Sequence, residues 1–164
     1  MIKALIFDWG DTVMRDYPKL KGPMAEWEHV ELIPGVTDAL EELRHNYICC
    51  IASNAGASNT FLMCKALKRV HALKYFLFYF TSKDLGYEKP DTRFFHVICD
   101  KIKIHPAQCI MIGNDYNKDI EGAKTLGMKT ILFNEKNIKG KYPHADKVIH
   151  SMTELIDAVQ EIEK

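Results

Sequence analysis

The chain opens on a nearly unbroken apolar run, Ile2 to Phe7, that stops abruptly at Asp8. A run of that kind predicts a strand buried on both faces. Similar runs recur at Tyr47–Ala52, ending at Ser53 and Asn54, at Leu77–Thr81, rich in aromatic residues, and at Cys109–Ile112, ending in Gly113, Asn114 and Asp115. Lys129–Phe133 predicts a fifth strand and Lys147–Ile149 a short sixth. Between them the period changes to that of a helix. Pro34 and Gly35 open a segment with Val36, Leu40 and Leu43 on one face and Glu41, Glu42 and Arg44 on the other. Ala57–Arg69 reads as a second helix, and Phe94, Ile98 and Ile102 recur every fourth residue after Pro90. Ile120, Ala123 and Leu126 mark another helix, ended by Gly127. Ser151 and Glu154 form a capping box for the last, on Leu155, Ile156, Val159 and Ile162. Strands alternating with helices predict an α/β open parallel sheet with helices on both faces, because right-handed crossovers place them there. The exception is Met14–Ile33, polar and interrupted by Pro18, Gly22 and Pro23, which reads as a flap. At 164 residues the expectation is one domain over 1–164, with the flap at about 14–33.

Charge narrows the list of partners. Lysine plus arginine equals aspartate plus glutamate at 22 each, so no nucleic acid or acidic membrane surface is indicated as a partner. No apolar run is long enough for a membrane span and no secretory signal opens the chain, so a cytoplasmic location is expected. The five cysteines, Cys49, Cys50, Cys64, Cys99 and Cys109, contain no Cys-x-x-Cys pair and read as reduced core residues. The seven histidines lack metal-ligand spacing.

The candidate chemistry lies in the polar residues that end the strands, since in an open parallel sheet ligands bind beyond the carboxyl ends. These are Asp8, Ser53 with Asn54, and Asp115, joined by Lys89 in the loop beyond the third strand and by Asp119 one helical turn past Asp115. Singly, each has an ordinary explanation. Asp8 with Gly10 opens a turn, Ser53 is a common strand-end residue, Lys89 a solvated side chain, and Asp115 with Asp119 suits a helix N-terminus. Together they describe a phosphate site. Carboxylates crowded in one cleft need a cation such as Mg²⁺, and a lysine and a hydroxyl can hold the oxygens of a transferring phosphoryl group.

Four motifs in this order resemble those of the haloacid dehalogenase superfamily of aspartate-nucleophile hydrolases. They are Phe7-Asp8-Trp9-Gly10-Asp11-Thr12, then Ala52-Ser53-Asn54, then Gly86-Tyr87-Glu88-Lys89-Pro90-Asp91, and finally Ile112-Gly113-Asn114-Asp115 through Asp119-Ile120-Glu121-Gly122-Ala123. The resemblance implies a three-layer Rossmann-like fold and a phosphatase acting on a phosphate monoester through an aspartyl phosphate on Asp8. It implies Mg²⁺ held by Asp8, the Gly10 carbonyl and Asp115, with Asp119 behind them. It also implies the Ser53 hydroxyl, with the Asn54 backbone, on the phosphoryl group, and Lys89 on both that group and Asp8. Asn114 stands where many relatives carry an acid, and the metal role is expected to pass to Asp115.

One departure bears on mechanism. Phosphatases of this family usually carry a second aspartate two residues after the nucleophile as acid and base, and here that residue is Gly10. Three outcomes fit: Asp11 substitutes, which adjacency slightly favours; the leaving group needs no proton; or the hydrolase is feeble. Two alternatives to the phosphatase also stand, a non-catalytic or regulatory binding protein of the same fold and a hydrolase of carbon–phosphorus or carbon–halogen bonds. The short flap leaves little room for the helical cap of many relatives. The site is therefore expected to be covered by a large phosphorylated substrate or by a second subunit in a homo-oligomer, with Trp9, Tyr17, Trp27 and Tyr116 either lining its rim or packing the flap.

Overall fold

A computed structural model describes residues 1–164. Six parallel strands form one sheet: β1 (Ala4–Phe7), β2 (Ile48–Ser53), β3 (Phe78–Thr81), β4 (Cys109–Gly113), β5 (Lys129–Phe133) and β6 (Lys147–Ile149), in spatial order β3-β2-β1-β4-β5-β6. Both faces of β1 are buried, as its unbroken apolar run requires. Leu5 and Phe7 join the larger core, while Ala4 and Ile6 join the smaller one on the opposite face. The larger core includes residues of α1 (Val36–Leu43), α2 (Thr60–Arg69) and α6 (Leu155–Glu163), the smaller those of α4 (Thr92–Ile102) and α5 (Gly122–Thr125). No helix is long and apolar enough to cross a membrane.

The topology decides where a ligand can reach. From β1 the chain builds outward through β2 to β3, then returns to lay β4 against the other side of β1. Phe7 is level with Ile51 on one neighbour and Ile112 on the other. Asp8 therefore emerges where connections leave in opposite directions, the crevice in which open α/β sheets bind ligands.

Helix boundaries shift where side chains cap them. The second helix starts at Thr60 instead of Ala57, because Asn59 accepts the Leu62 N–H at 2.9 Å and ends the extended chain there. A short helix absent from the sequence reading, α3 (Ser82–Leu85), follows β3 directly. The helix foreseen around Ile120 begins as a π-helical turn, Tyr116–Glu121, and becomes α5 only at Gly122. Gly122 has a packing reason: a Cβ there would lie 2.6 Å from the Pro90 carbonyl and 2.7 Å from the Phe95 ring. Only glycine lets this helix approach the Lys89–Pro90 loop so closely.

The flap is docked on the domain. At its base Arg15 N donates to Glu31 O and Ile33 N to Val13 O, both at 2.9 Å. Met24 and Ala25 are buried, and the Arg69 guanidinium of α2 donates to the carbonyls of Ala25, Trp27 and Glu28. The cysteines are all free thiols, four of them buried, and burial pushes Cys49 and Cys50 up to about 12. These two are core residues and not nucleophiles at neutral pH.

Candidate active site

The loop after β1 is wound tightly enough to bring several polar groups back over Asp8. The N–H groups of Thr12, Val13 and Met14 all donate to Trp9 O. Asp11 takes a left-handed conformation, φ 56°, which aspartate tolerates better than most residues because its short side chain bonds locally. That local bond is the one from Asp16 N to Asp11 Oδ1, 3.0 Å. Thr12 Oγ1 lies 3.3 Å from Asp8 Oδ2.

Lys89 crosses beneath this loop. It is 3% exposed, and its ammonium donates to Asp8 Oδ1 at 2.7 Å, Asp119 Oδ1 at 2.7 Å and Ala52 O at 3.1 Å. Those bonds use all the protons an ammonium carries. Burial alone would disfavour the charge, but Asp119 and Asp8 outweigh it and raise the Lys89 pKa. Asp119, 1% exposed, is pushed up to about 7 by burial and by repulsion from Asp8, against the pull of Lys89. Its other oxygen accepts the Asp115 N–H at 3.0 Å. Gly113 makes the arrangement possible, since a Cβ there would sit 2.2 Å from Asp119 Oδ2.

The geometry adds detail to three of the expected roles. Asp119 anchors Lys89 and the Asp115 backbone, so both of its oxygens are engaged inside the chain. Lys89 holds Asp8 as expected, but it reaches a phosphoryl oxygen only by releasing one of its present partners. The Asn54 side chain clamps the Lys89 backbone, donating to Lys89 O and accepting from Lys89 N, each at 2.8 Å. The side chain thereby positions the lysine loop, a task separate from the backbone contact to a phosphoryl oxygen expected of Asn54. Ser53, the last residue of β2, borders the same polar cleft as Asp8, where no hydrophobic residue lines the wall.

Asp115 and Asn114 exchange places relative to expectation. Asp115 borders the cleft, yet its Oδ1 accepts the Lys118 N–H at 3.0 Å and caps the π-helical turn. The group set against Asp8 and Gly10 is the Asn114 amide. With its nitrogen inward, that amide donates to Asp8 Oδ2 at 3.0 Å, Gly10 O at 3.2 Å and Thr12 Oγ1 at 3.3 Å. With its oxygen inward, Asn114 Oδ1 faces Asp8 Oδ2 and Gly10 O and accepts from Thr12 Oγ1 at 3.3 Å. Neighbouring oxygens of an octahedral Mg²⁺ shell stand about 3 Å apart when each ligand lies about 2.1 Å from the ion. Asn114 Oδ1, at 3.0 Å from Asp8 Oδ2 and 3.2 Å from Gly10 O, has that spacing from both, and the three oxygens have the chemistry to hold a hard cation, with one carboxylate among them.

Asp11 and Asp16 divide the remaining acidity. Asp11 faces Arg15, 3.7 Å away, and holds Asp16 N. Asp16 borders both the polar cleft and a neighbouring cavity of about 350 Å³ between the flap and the 54–58 loop. Its carboxyl is raised by burial, with added repulsion from Asp11 and Asp8. Nothing in the one-dimensional pattern marks Asp16, which lies in the flap and is returned to Gly10 only by the tight Trp9–Met14 loop. Trp9, Tyr17 and Trp27 line that cavity, Trp9 with its indole N–H buried and unpartnered. Tyr116 instead packs against Tyr142 and His144.

Comparison with known proteins agrees with this architecture. A family model described as haloacid dehalogenase-like hydrolase matches residues 3–133. The ribulose-1,5-bisphosphate 5-phosphatase of Halopiger xanaduensis is 28% identical over 120 residues, 73% of this chain and 49% of that protein. The (S)-2-haloacid dehalogenase 4A of Burkholderia cepacia is 27% identical over 158 residues, 93% of this chain and 66% of its own length. The chain thus spans about half the length of the first of these relatives. A magnesium-bound structure of YfnB from Bacillus subtilis superimposes with a TM-score of 0.79 at 18% identity, covering 95% of this chain and 97% of that one. Taken with the strand-end aspartate, its buried lysine and the parallel sheet that presents them, the match places this chain among the haloacid dehalogenase-like hydrolases.

Proposed function

We propose that the protein is a Mg²⁺-dependent phosphatase that cleaves a phosphate monoester through an aspartyl phosphate on Asp8. The observation that carries this reading is the Asp8 carboxylate at the switch point, one oxygen held by Lys89 at 2.7 Å and the other facing Asn114 across 3.0 Å. Asp8 forms the bond to phosphorus, and the Lys89 ammonium keeps the carboxylate in one orientation while balancing its charge. The Ser53 hydroxyl borders the space where phosphoryl oxygens would lie and supplies a donor to one of them. Asp8 Oδ2, Gly10 O and Asn114 Oδ1 would hold the Mg²⁺, whose chemistry is to offset negative charge on the transferring group. The polar lining of the cleft favours a phosphoryl group over a halide, which requires apolar walls. Kinship with both phosphatases and a dehalogenase makes this choice the point to test.

A panel of phosphate esters, with 2-haloacids alongside, assayed with and without Mg²⁺ and with Asp8→Asn as control, tests the reading. Metal-dependent phosphate release, abolished by the substitution, is the expected result, together with an acid-stable phosphoryl-enzyme trapped on Asp8. Halide release, or turnover untouched by Asp8→Asn, refutes it. No turnover and no metal binding favours a binding protein on this fold.

A further inference from the structure

Gly10 leaves a gap two residues after Asp8, and the chain fills it from elsewhere. The backbone at Gly10 is not left-handed, so its φ does not demand glycine, and what a Cβ there would meet is Asp16. The Cβ would lie 3.3 Å from Asp16 Cβ, 3.7 Å from Cγ and 3.8 Å from Oδ2. The Asp16 carboxyl therefore occupies the space a side chain at position 10 would sweep. It stands where the polar cleft of Asp8 and Ser53 opens into the 350 Å³ cavity lined by Trp9, Tyr17 and Trp27.

The other acids of the cleft are committed. Asp8 and Asp119 are paired with Lys89, Asp115 caps the π-helical turn, and Asp11 holds Asp16 N and faces Arg15. Asp16 has no cationic partner. We propose that the cavity takes the alcohol half of the ester and that Asp16 serves as the catalytic acid and base at its mouth, an assignment that rests on the phosphatase reading of Asp8. In the first step an Asp8 oxygen bonds to phosphorus while the bridging P–O bond breaks. The electron pair stays on the departing oxygen, which takes the Asp16 proton and leaves as the alcohol. In the second step water bonds to phosphorus and gives its proton to the Asp16 carboxylate. The Asp8–phosphorus bond then breaks, freeing phosphate and restoring both aspartates. A cavity of 350 Å³ has room for on the order of ten waters. It suits a small aliphatic alcohol, not a polymer end, and an aliphatic alkoxide is the kind of leaving group that needs a proton.

The test compares glycerol phosphate, with an aliphatic leaving group, against p-nitrophenyl phosphate, whose phenolate departs unprotonated. Asp16→Asn, nearly isosteric, is expected to lower kcat/KM, which reads the first step and not the hydrolysis common to both esters, by about 10²–10⁴-fold on the aliphatic ester and by less than about tenfold on the nitrophenyl ester. Moving the carboxyl back, in Gly10→Asp with Asp16→Ala, is expected to restore the aliphatic activity. Equal losses on both esters from Asp16→Asn, or the selective loss appearing in Asp11→Asn instead, overturns the assignment while leaving the phosphatase reading intact. A wild-type protein inert toward both esters overturns that reading, and this proposal with it.

Discussion

Replacing Lys89 by methionine, close in shape and without charge, would leave two carboxylates buried together. Asp8 Oδ1 and Asp119 Oδ1 each lie 2.7 Å from the ammonium, so they stand no more than twice that distance apart. At an effective dielectric of about 20, two unit charges at that separation repel by about 3 kcal/mol. Removing one partner of a buried pair typically costs about 3–5 kcal/mol, a large part of a stability of about 5–15 kcal/mol. The expected loss in urea unfolding, followed by the fluorescence of Trp9 and Trp27, is therefore about 3–5 kcal/mol at about pH 8. Acid should relieve it. The Asp119 carboxyl is already pushed up to about 7 with Lys89 present, and losing the lysine raises it further. A carboxyl whose folded pKa exceeds its unfolded value imposes its full penalty above the folded pKa, and the penalty fades as pH falls through it. Lys89→Met should thus recover much of its stability by about pH 5, and adding Asp119→Asn should recover part of it at neutral pH. A loss below about 1 kcal/mol, or one that does not change with pH, would refute the charge argument.

Three further outcomes follow from the same geometry. Gly113→Ala would place a Cβ 2.2 Å from Asp119 Oδ2, so denaturant unfolding should show a loss of about 1–3 kcal/mol, whereas an unchanged midpoint would mean that the strand end moves freely. Asn114→Asp adds a carboxylate beside Asp8 Oδ2 and Gly10 O and should tighten Mg²⁺ binding by about tenfold or more in calorimetric titration; weaker binding would place the cation elsewhere. Asp146, held by Lys124 at 2.7 Å and the Thr130 N–H at 2.8 Å, keeps a lowered pKa in spite of its partial burial. Its stabilising effect is present above the unfolded pKa and lost as pH falls through the folded one, so the thermal gap between wild type and Asp146→Asn should close in acid. A gap that widens there contradicts the sign.

Much of the fold is legible because burial on both faces leaves a one-dimensional signature. β5 and β6 occupy the predicted residues without change, and the Ser151–Glu154 capping box forms as its spacing implies. Boundaries slip where a side chain decides them, as Asn59 does for α2. The π-helical turn at Tyr116–Glu121 has the same apolar residues as an ordinary helix, so periodicity does not distinguish the two. Its wider winding accompanies a contact the pattern does not encode, Asp119 reaching both Lys89 and Asp115 N.

What the sequence determined by itself is the set of strands, their polar ends, and hence the gathering of Asp8, Ser53, Lys89 and the Gly113–Asp119 segment at one edge of a parallel sheet. It does so because apolar runs and turn residues act locally and right-handed crossovers leave few topologies. Only the tertiary structure decided which member of that set faces which. Asn114 instead of Asp115 meets Asp8, Asp119 serves Lys89, Asn54 serves the lysine loop, and Asp16 returns from the flap to the space beside Gly10. Those choices depend on side-chain directions past the strand ends and on contacts between segments far apart in the chain, such as the 102 residues between Thr12 and Asn114. No local period carries that information, because the energy that selects one pairing over another exists only once the segments have met.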